Sequence, residues 1–303
     1  MRLDGVDGSE LLGFMAALGT LSLLDRHARS IGRALPKLRF ARDGVAEVLD
    51  GGLTEEVVAE AAFEQLQSSR PFFEKRLAAV KRPSDFDRET FAAAAARATR
   101  GERSFLAGLA CCVGADVYES TLCAANGASH QNLVQSIRDI LSLVERDHLR
   151  AALFAPWRRG YEVAPTRRKQ LDLGTRKPTL RLDPADERLY ALRLANPTTT
   201  DDFKTELGAQ ALAIPAFALL PVLPRHRRPV SVASFRQANK VYFSWTLWDV
   251  PADLHAVRSH VCVGVSRSNA SEARARGAFA AYRVARVSGE KGKLSFSPAE
   301  GLW

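Results

Sequence analysis

The sequence lacks the usual devices of nucleotide and metal chemistry. There is no G-x-x-x-x-G-K-[ST] phosphate cradle, no G-x-G-x-x-G after a strand-like run, no H-E-x-x-H and no C-x-x-C pair, so binding or catalysis by those routes is unsupported. Cysteine is scarce: Cys111, Cys112, Cys123 and Cys262 are too few to staple a chain of this size, which points to a reducing, cytoplasmic compartment. Long apolar runs are missing too. The stretch Leu11 to Leu24 spans 14 residues, short of a membrane span. It follows the acids Asp4, Asp7 and Glu10 rather than a basic region, so it is not expected to act as a signal peptide. No fixed-period repeat is visible, which argues against a solenoid.

What is present is a globular composition with an uneven charge. Of 303 residues, 46% are hydrophobic and 25% charged, enough apolar material for a core and too much for large-scale disorder. The 43 Lys and Arg against 34 Asp and Glu give a net charge of +9. Residues 1–150 hold 19 basic and 21 acidic side chains, and residues 151–303 hold the other 24 basic and 13 acidic. The excess therefore lies in the second half, as in a chain that presents one face to a polyanion.

The first half reads as mostly helical. Ser9 is placed as the cap of a helix from about Glu10 to Arg26 that is apolar almost all round and hence buried. Short strands are expected at Lys37 to Phe40 and Val45 to Leu49, then a helix capped by Thr54. Further helices are expected over Asp87 to Ala98, Glu102 to Val113 and Gln131 to Glu145, and after an Asp147 cap. Beyond Pro156 the character changes. Strands are expected at Thr179 to Leu182, Leu189 to Leu194, Val230 to Val232, Val241 to Trp248, Val261 to Val265, Phe279 to Val287 and Leu294 to Phe296, with a hairpin loop at Gly289 to Lys293. The proline-broken run Ala211 to Leu223 threads the core. The expected class is α+β, with a helical scaffold region at 1–155 and a basic α+β region at 156–303, either separate or continuous with it in one domain.

The candidate site is a basic track for phosphates, which arginine meets with paired, charge-assisted hydrogen bonds. It comprises Arg158, Arg159, Arg167, Arg168, Lys169, Arg176, Lys177 and Arg181, then Arg225, Arg227 and Arg228, and finally Arg236 and Lys240. Trp157, Tyr161 and Tyr242 lie beside these cations and are candidates for stacking unpaired bases. At least one of Trp245 and Trp248 is expected in the core. His255 and His260 lack an evident third zinc ligand, and Ser129-His130 lacks a nucleophile elbow. No cofactor is expected.

Several segments carry a family resemblance: Asp7-Gly8 with Phe14 through Leu21, Leu180 through Pro184 with Asp186 through Arg193, Trp245-Thr246-Leu247-Trp248 with Pro251, and Phe296-Ser297-Pro298. In these segments the chain resembles effector-complex proteins of the type I-U (also called type I-G) CRISPR systems, in particular their large-subunit-like Cascade components. The resemblance implies a non-catalytic subunit that contacts guide RNA or target DNA and neighbouring subunits, while cleavage falls to a separate helicase-nuclease. Base pairing then reads the sequence and protein holds the backbone. Two alternatives stay open: a Mg²⁺-dependent nuclease using Asp183, Asp186 or Glu187, and a structural adaptor whose basic surface meets acidic proteins.

Overall fold

The computed structural model describes residues 1–49, 51–123, 132–161, 163–174, 178–184, 205–225, 228–262, 264–266, 269–288 and 294–303. The expected strand at Leu189 to Leu194 and loop at Gly289 to Lys293 lie outside the described residues.

The chain opens on a strand that the sequence pattern did not reveal, β1 (Arg2–Asp7), followed by α1 (Leu11–Ser30), β2 (Lys37–Phe40) and β3 (Val45–Leu49). The three strands form an antiparallel sheet in the order β1-β3-β2. Buried side chains occupy all sides of α1, from Leu11 to Asp25, as expected of a helix apolar all round. Its N-cap is Glu10 rather than Ser9, with no side-chain cap hydrogen bond. Next come α2 (Glu55–Pro71), capped by Thr54, α3 (Arg88–Arg97), capped by Asp87, and α4 (Arg100–Leu109), capped by Thr99.

The expected helix over Glu102 to Val113 stops at Leu109 and turns into a hairpin of β4 (Ala110–Val113) and β5 (Asp116–Glu119), because Cys111, Cys112 and Val113 suit a half-buried strand. Helices α5 (Leu133–Leu143), α6 (Arg146–Phe154), α7 (Pro165–Gln170) and α8 (Leu207–Ala213) follow. The cap of α6 is Glu145 in a reciprocal box with His148, not Asp147. Thr179 to Leu182 is buried or half-buried without forming a strand: the Leu180 N–H donates to the Gln210 side chain at 2.9 Å instead of to a ladder.

The last third carries two consecutive hairpins. The first pairs β6 (Val222–Arg225) with β7 (Arg228–Ser231) as a separate two-stranded ribbon. The second pairs β8 (Ser234–Gln237) with β9 (Lys240–Trp248), which continues into a larger antiparallel sheet through β10 (Ala278–Ser288), β11 (Leu294–Phe296) and β12 (Glu300–Gly301). Between them stand α9 (Leu254–Val261) and α10 (Ala270–Ala275). Val261, expected to begin a strand, ends α9: Asp253 caps that helix, and Leu254, Val257 and Val261 are buried at helical spacing.

One buried cluster draws on both halves of the sequence, from Leu3 to Phe296. Its centre is aromatic. Phe14 of α1 stacks on Trp245 with centroids 5.6 Å apart, and Phe40 meets Trp248 edge-on at 5.1 Å. Both indoles donate to backbone carbonyls of the first half, Trp245 to Gly8 at 2.7 Å and Trp248 to Leu38 at 2.9 Å, so each buried N–H has a partner. Close approach of helices needs glycine: a Cβ on Gly19 would lie 1.7 Å from the Leu212 carbonyl oxygen, one on Gly108 1.9 Å from that of Phe217, and one on Gly208 2.0 Å from that of His148. Among the described residues no helix is long and apolar enough to cross a membrane.

Candidate nucleic-acid interface

The basic candidates fall on three local structures with different chemistry. Arg158 and Arg159 follow α6. Arg158 is exposed, but Arg159 is drawn inward, its side chain 20% exposed, and donates to Asp183 at 2.7 Å and to Glu10 at 3.0 Å. Its backbone N–H also reaches Glu206 at 3.3 Å, and its φ of 46° is a left-handed conformation unusual for a side chain of this size. Burial pushes the Glu10 and Glu206 carboxyls above their ordinary range, against the lowering effect of Arg159 and of backbone donors. Arg159 thus ties the start of α1 to Asp183 and the approach to α8, and its charge is committed to protein carboxylates.

Helix α7 carries Arg167, Arg168 and Lys169 on one short turn, with Arg167 and Lys169 exposed and Arg168 half-buried. Arg167 donates to the Ser142 carbonyl at 3.3 Å and Arg168 to the Gly174 carbonyl at 3.0 Å. Arg181 is half-buried at φ 58°. Arg176, Lys177 and Arg227 lie outside the described residues, as do Asp186, Glu187, Ser129 and His130.

The third structure is the pair of hairpins. Arg225 and Arg228 face each other across the β6–β7 ribbon, where β6 ends and β7 begins. Arg236 and Lys240 flank the β8–β9 turn, where Ala238 and Asn239 both have positive φ, as a two-residue type I′ turn requires. All four cations are exposed, and none of them makes an ion pair among the described residues. The local sequence offers them no near partner: there is no acidic residue between Glu206 and Asp249. Only Val232 and Ala233 separate β7 from β8, so the two hairpins join at their bases.

The aromatic candidates have neighbours already. Trp157 is half-buried, donates to the Ala152 carbonyl at 2.8 Å and has the Arg159 guanidinium 5.9 Å from its ring centroid. Tyr161 meets His148 edge-on at 4.9 Å, and its backbone pairs with Thr205. Tyr242 stacks on Phe235 at 5.4 Å, with the Arg283 guanidinium 4.7 Å from its centroid. That stack sits on the hairpin carrying Arg236 and Lys240.

The described residues offer little for a catalytic reading. Asp183 is buried against Arg159, and among the described residues no group of three or more His, Cys, Asp and Glu side chains could hold a metal ion. His260 stacks flat on Trp248 at 5.0 Å. Cys123 is fully buried, and burial pushes its thiol up from the ordinary value.

Fold and site together define an α+β protein with two consecutive basic hairpins on a closed core. No family model and no curated protein sequence matches the chain.

Proposed function

We propose that this chain is a non-catalytic, cytoplasmic nucleic-acid-binding subunit of a CRISPR RNA-guided surveillance complex of the Cascade kind, holding guide RNA or target DNA in antiviral defence. The observation that carries the reading is the set of four exposed cations, Arg225, Arg228, Arg236 and Lys240, on adjoining hairpins with no ion-pair partner among the described residues. Surface cations that serve only solubility are commonly interspersed with acids. A stretch that excludes acids keeps its charge for an outside polyanion, and phosphates released from their counterions supply the binding energy. The resemblance of the Asp7-Gly8, Leu180 to Pro184 and Trp245 to Trp248 segments to Cascade large-subunit-like proteins supports the specific complex.

The helical first half supplies the scaffold and a surface for neighbouring subunits. The test is co-expression with candidate effector subunits, together with binding of the purified chain to labelled DNA and RNA. Co-purification and weak, salt-sensitive binding are expected, with no cleavage when Mg²⁺ or Mn²⁺ is added. Absence of both association and binding contradicts the proposal, and metal-dependent cleavage replaces it with the nuclease reading. Changing Arg167, Arg168 and Lys169 to alanine lowers the salt slope on duplex DNA by about 0.9 for each phosphate that these residues neutralise; an unchanged slope removes α7 from the track.

A further inference from the structure

The β6–β7 ribbon has a composition that simple backbone attraction does not explain. In its register Leu223 faces Val230, Pro224 faces Pro229 and Arg225 faces Arg228. Side chains two apart on a strand share a face, so the arginine pair and the Leu223–Val230 pair lie on the same side. Leu223 is 50% exposed and Val230 37%, an apolar step beneath two guanidinium groups that make no ion pair among the described residues. The base is fixed: Val222 and Ser231 are buried, the Ser231 hydroxyl accepts from the Thr121 N–H at 2.9 Å, and the Val232 N–H donates to the Pro221 carbonyl at 3.0 Å.

The prolines say what this ribbon is not built for. Opposed residues in an antiparallel pair alternate between hydrogen-bonded and non-bonded sites, and two facing prolines fit only the non-bonded kind, whose N–H groups would point outward. Pro224 and Pro229 therefore remove a donor from each outer edge, which blunts both edges against addition of a protein strand. The face is left as the surface available to a partner.

We infer that the β6–β7 ribbon enters the major groove of B-form duplex DNA, with Arg225 and Arg228 directed at guanine edges and Leu223 and Val230 against thymine methyl groups. This rests on the nucleic-acid reading above and narrows it to a substrate class. The dimensions agree. A two-stranded ribbon with its side chains is about 10 Å thick, and the major groove is about 12 Å wide and about 8.5 Å deep. The three outer residues of each strand, at about 3.3 Å apiece, supply about 10 Å of reach. The guanine edge presents two acceptors that suit an arginine fork, and the thymine methyl is the groove's apolar feature. The major groove of A-form RNA is deep and too narrow for side chains to read, so the ribbon discriminates against duplex RNA.

The test uses the full chain and a mixed-sequence DNA duplex with its RNA counterpart. Dimethyl sulfate methylates guanine N7 in the major groove and adenine N3 in the minor groove, which reports the groove directly. The expected result is at least about tenfold tighter binding to the DNA duplex, with N7 protected and N3 not. Arg225→Ala with Arg228→Ala should abolish the N7 protection. Leu223→Ser with Val230→Ser, which alters no charge, should weaken DNA binding several-fold at an unchanged salt slope. Intact binding without N7 protection, or equal affinity for both duplexes, overturns the ribbon inference and leaves the nucleic-acid reading standing. Binding to no nucleic acid overturns both. Loss of a co-purifying protein in the Leu223/Val230 variant, with the DNA footprint unchanged, shows a protein-docking face and also overturns the inference.

Discussion

The outer face of the β1-β3-β2 sheet and the two hairpins of the last third carry the same residue type in opposite circumstances. On the sheet side, Arg2 pairs with Asp4 and Asp43, Arg39 pairs with Glu47, and Arg42 pairs with Asp249. On the hairpins, Arg225, Arg228, Arg236 and Lys240 make no ion pair among the described residues. Exposed pairs of the first kind add little to stability, and their charge is screened from a distant polyanion by the acid beside them. Cations of the second kind contribute little to the fold and leave their full charge for a phosphate. Arg159 is the extreme of the paired class, held between Asp183 and Glu10. Location and partner, more than residue type, separate arginines whose charge is spent within the protein from those that make no ion pair among the described residues.

That separation can be broken or sharpened by substitutions that should act on stability alone. The largest effect is expected for Trp245→Ala, which removes the ring stacked on Phe14 and the donor to Gly8 and should cost about 4 kcal/mol, read as a lowered denaturant midpoint. Arg159→Ala should cost about 3 kcal/mol, because it takes the guanidinium from the buried carboxylate of Asp183. Both variants, measured where they are folded, should keep the wild-type salt slope for nucleic acid. A changed slope for Arg159→Ala would place that residue in the binding track after all.

Gly19→Ala should cost about 2 kcal/mol by forcing α1 away from the Leu212 carbonyl. The smallest expected effect is at Asp253, whose carboxylate accepts from the Ala256 and His255 N–H groups and is thereby held below the usual carboxylate range. A lowered folded-state pKa stabilises above the unfolded value and is lost as the pH falls through the folded one. Asp253→Ala should therefore cost about 1 kcal/mol at neutral pH, and the gap should close below about pH 4 in thermal melts at stepped pH.

Much of the fold was legible because local patterns agreed with tertiary demands. The all-round apolar α1, the Thr54 cap, and strands β2, β3, β9 and β10 follow from periodicity and end signals in the sequence. The failures have identifiable causes. In β1, Gly5 and Val6 are consecutive buried residues between Asp4 and Asp7, and the register shifts between Leu3 and Asp7, so the alternation of a strand is broken within one short run. The helical spacing of Leu254, Val257 and Val261 was outweighed by the β-branched residues that follow.

At the site, the cations could be read from the sequence, but their circumstances could not. Arg159 and Asp183 are 24 residues apart in sequence, and Arg159 and Glu10 are 149 apart, so no local pattern reveals that this arginine is committed to the core. The hairpin cations carried a usable signal, the absence of acids between Glu206 and Asp249. The facing of Leu223 and Val230 beside Arg225 and Arg228 depends on register, which composition does not report.

The measurement that bears most directly on the division between paired and unpaired cations is the slope of log affinity against log salt for duplex DNA. Three proteins are compared: wild type, Arg225, Arg228 and Arg236 all changed to alanine, and the paired Arg2, Arg39 and Arg42 all changed to alanine. The two variants lose the same net charge. The slope should fall by as much as about 2.7 in the hairpin variant and stay at the wild-type value in the sheet variant. Equal slopes in the two variants would contradict the account, since only total charge, and not its placement on the hairpins, would then matter.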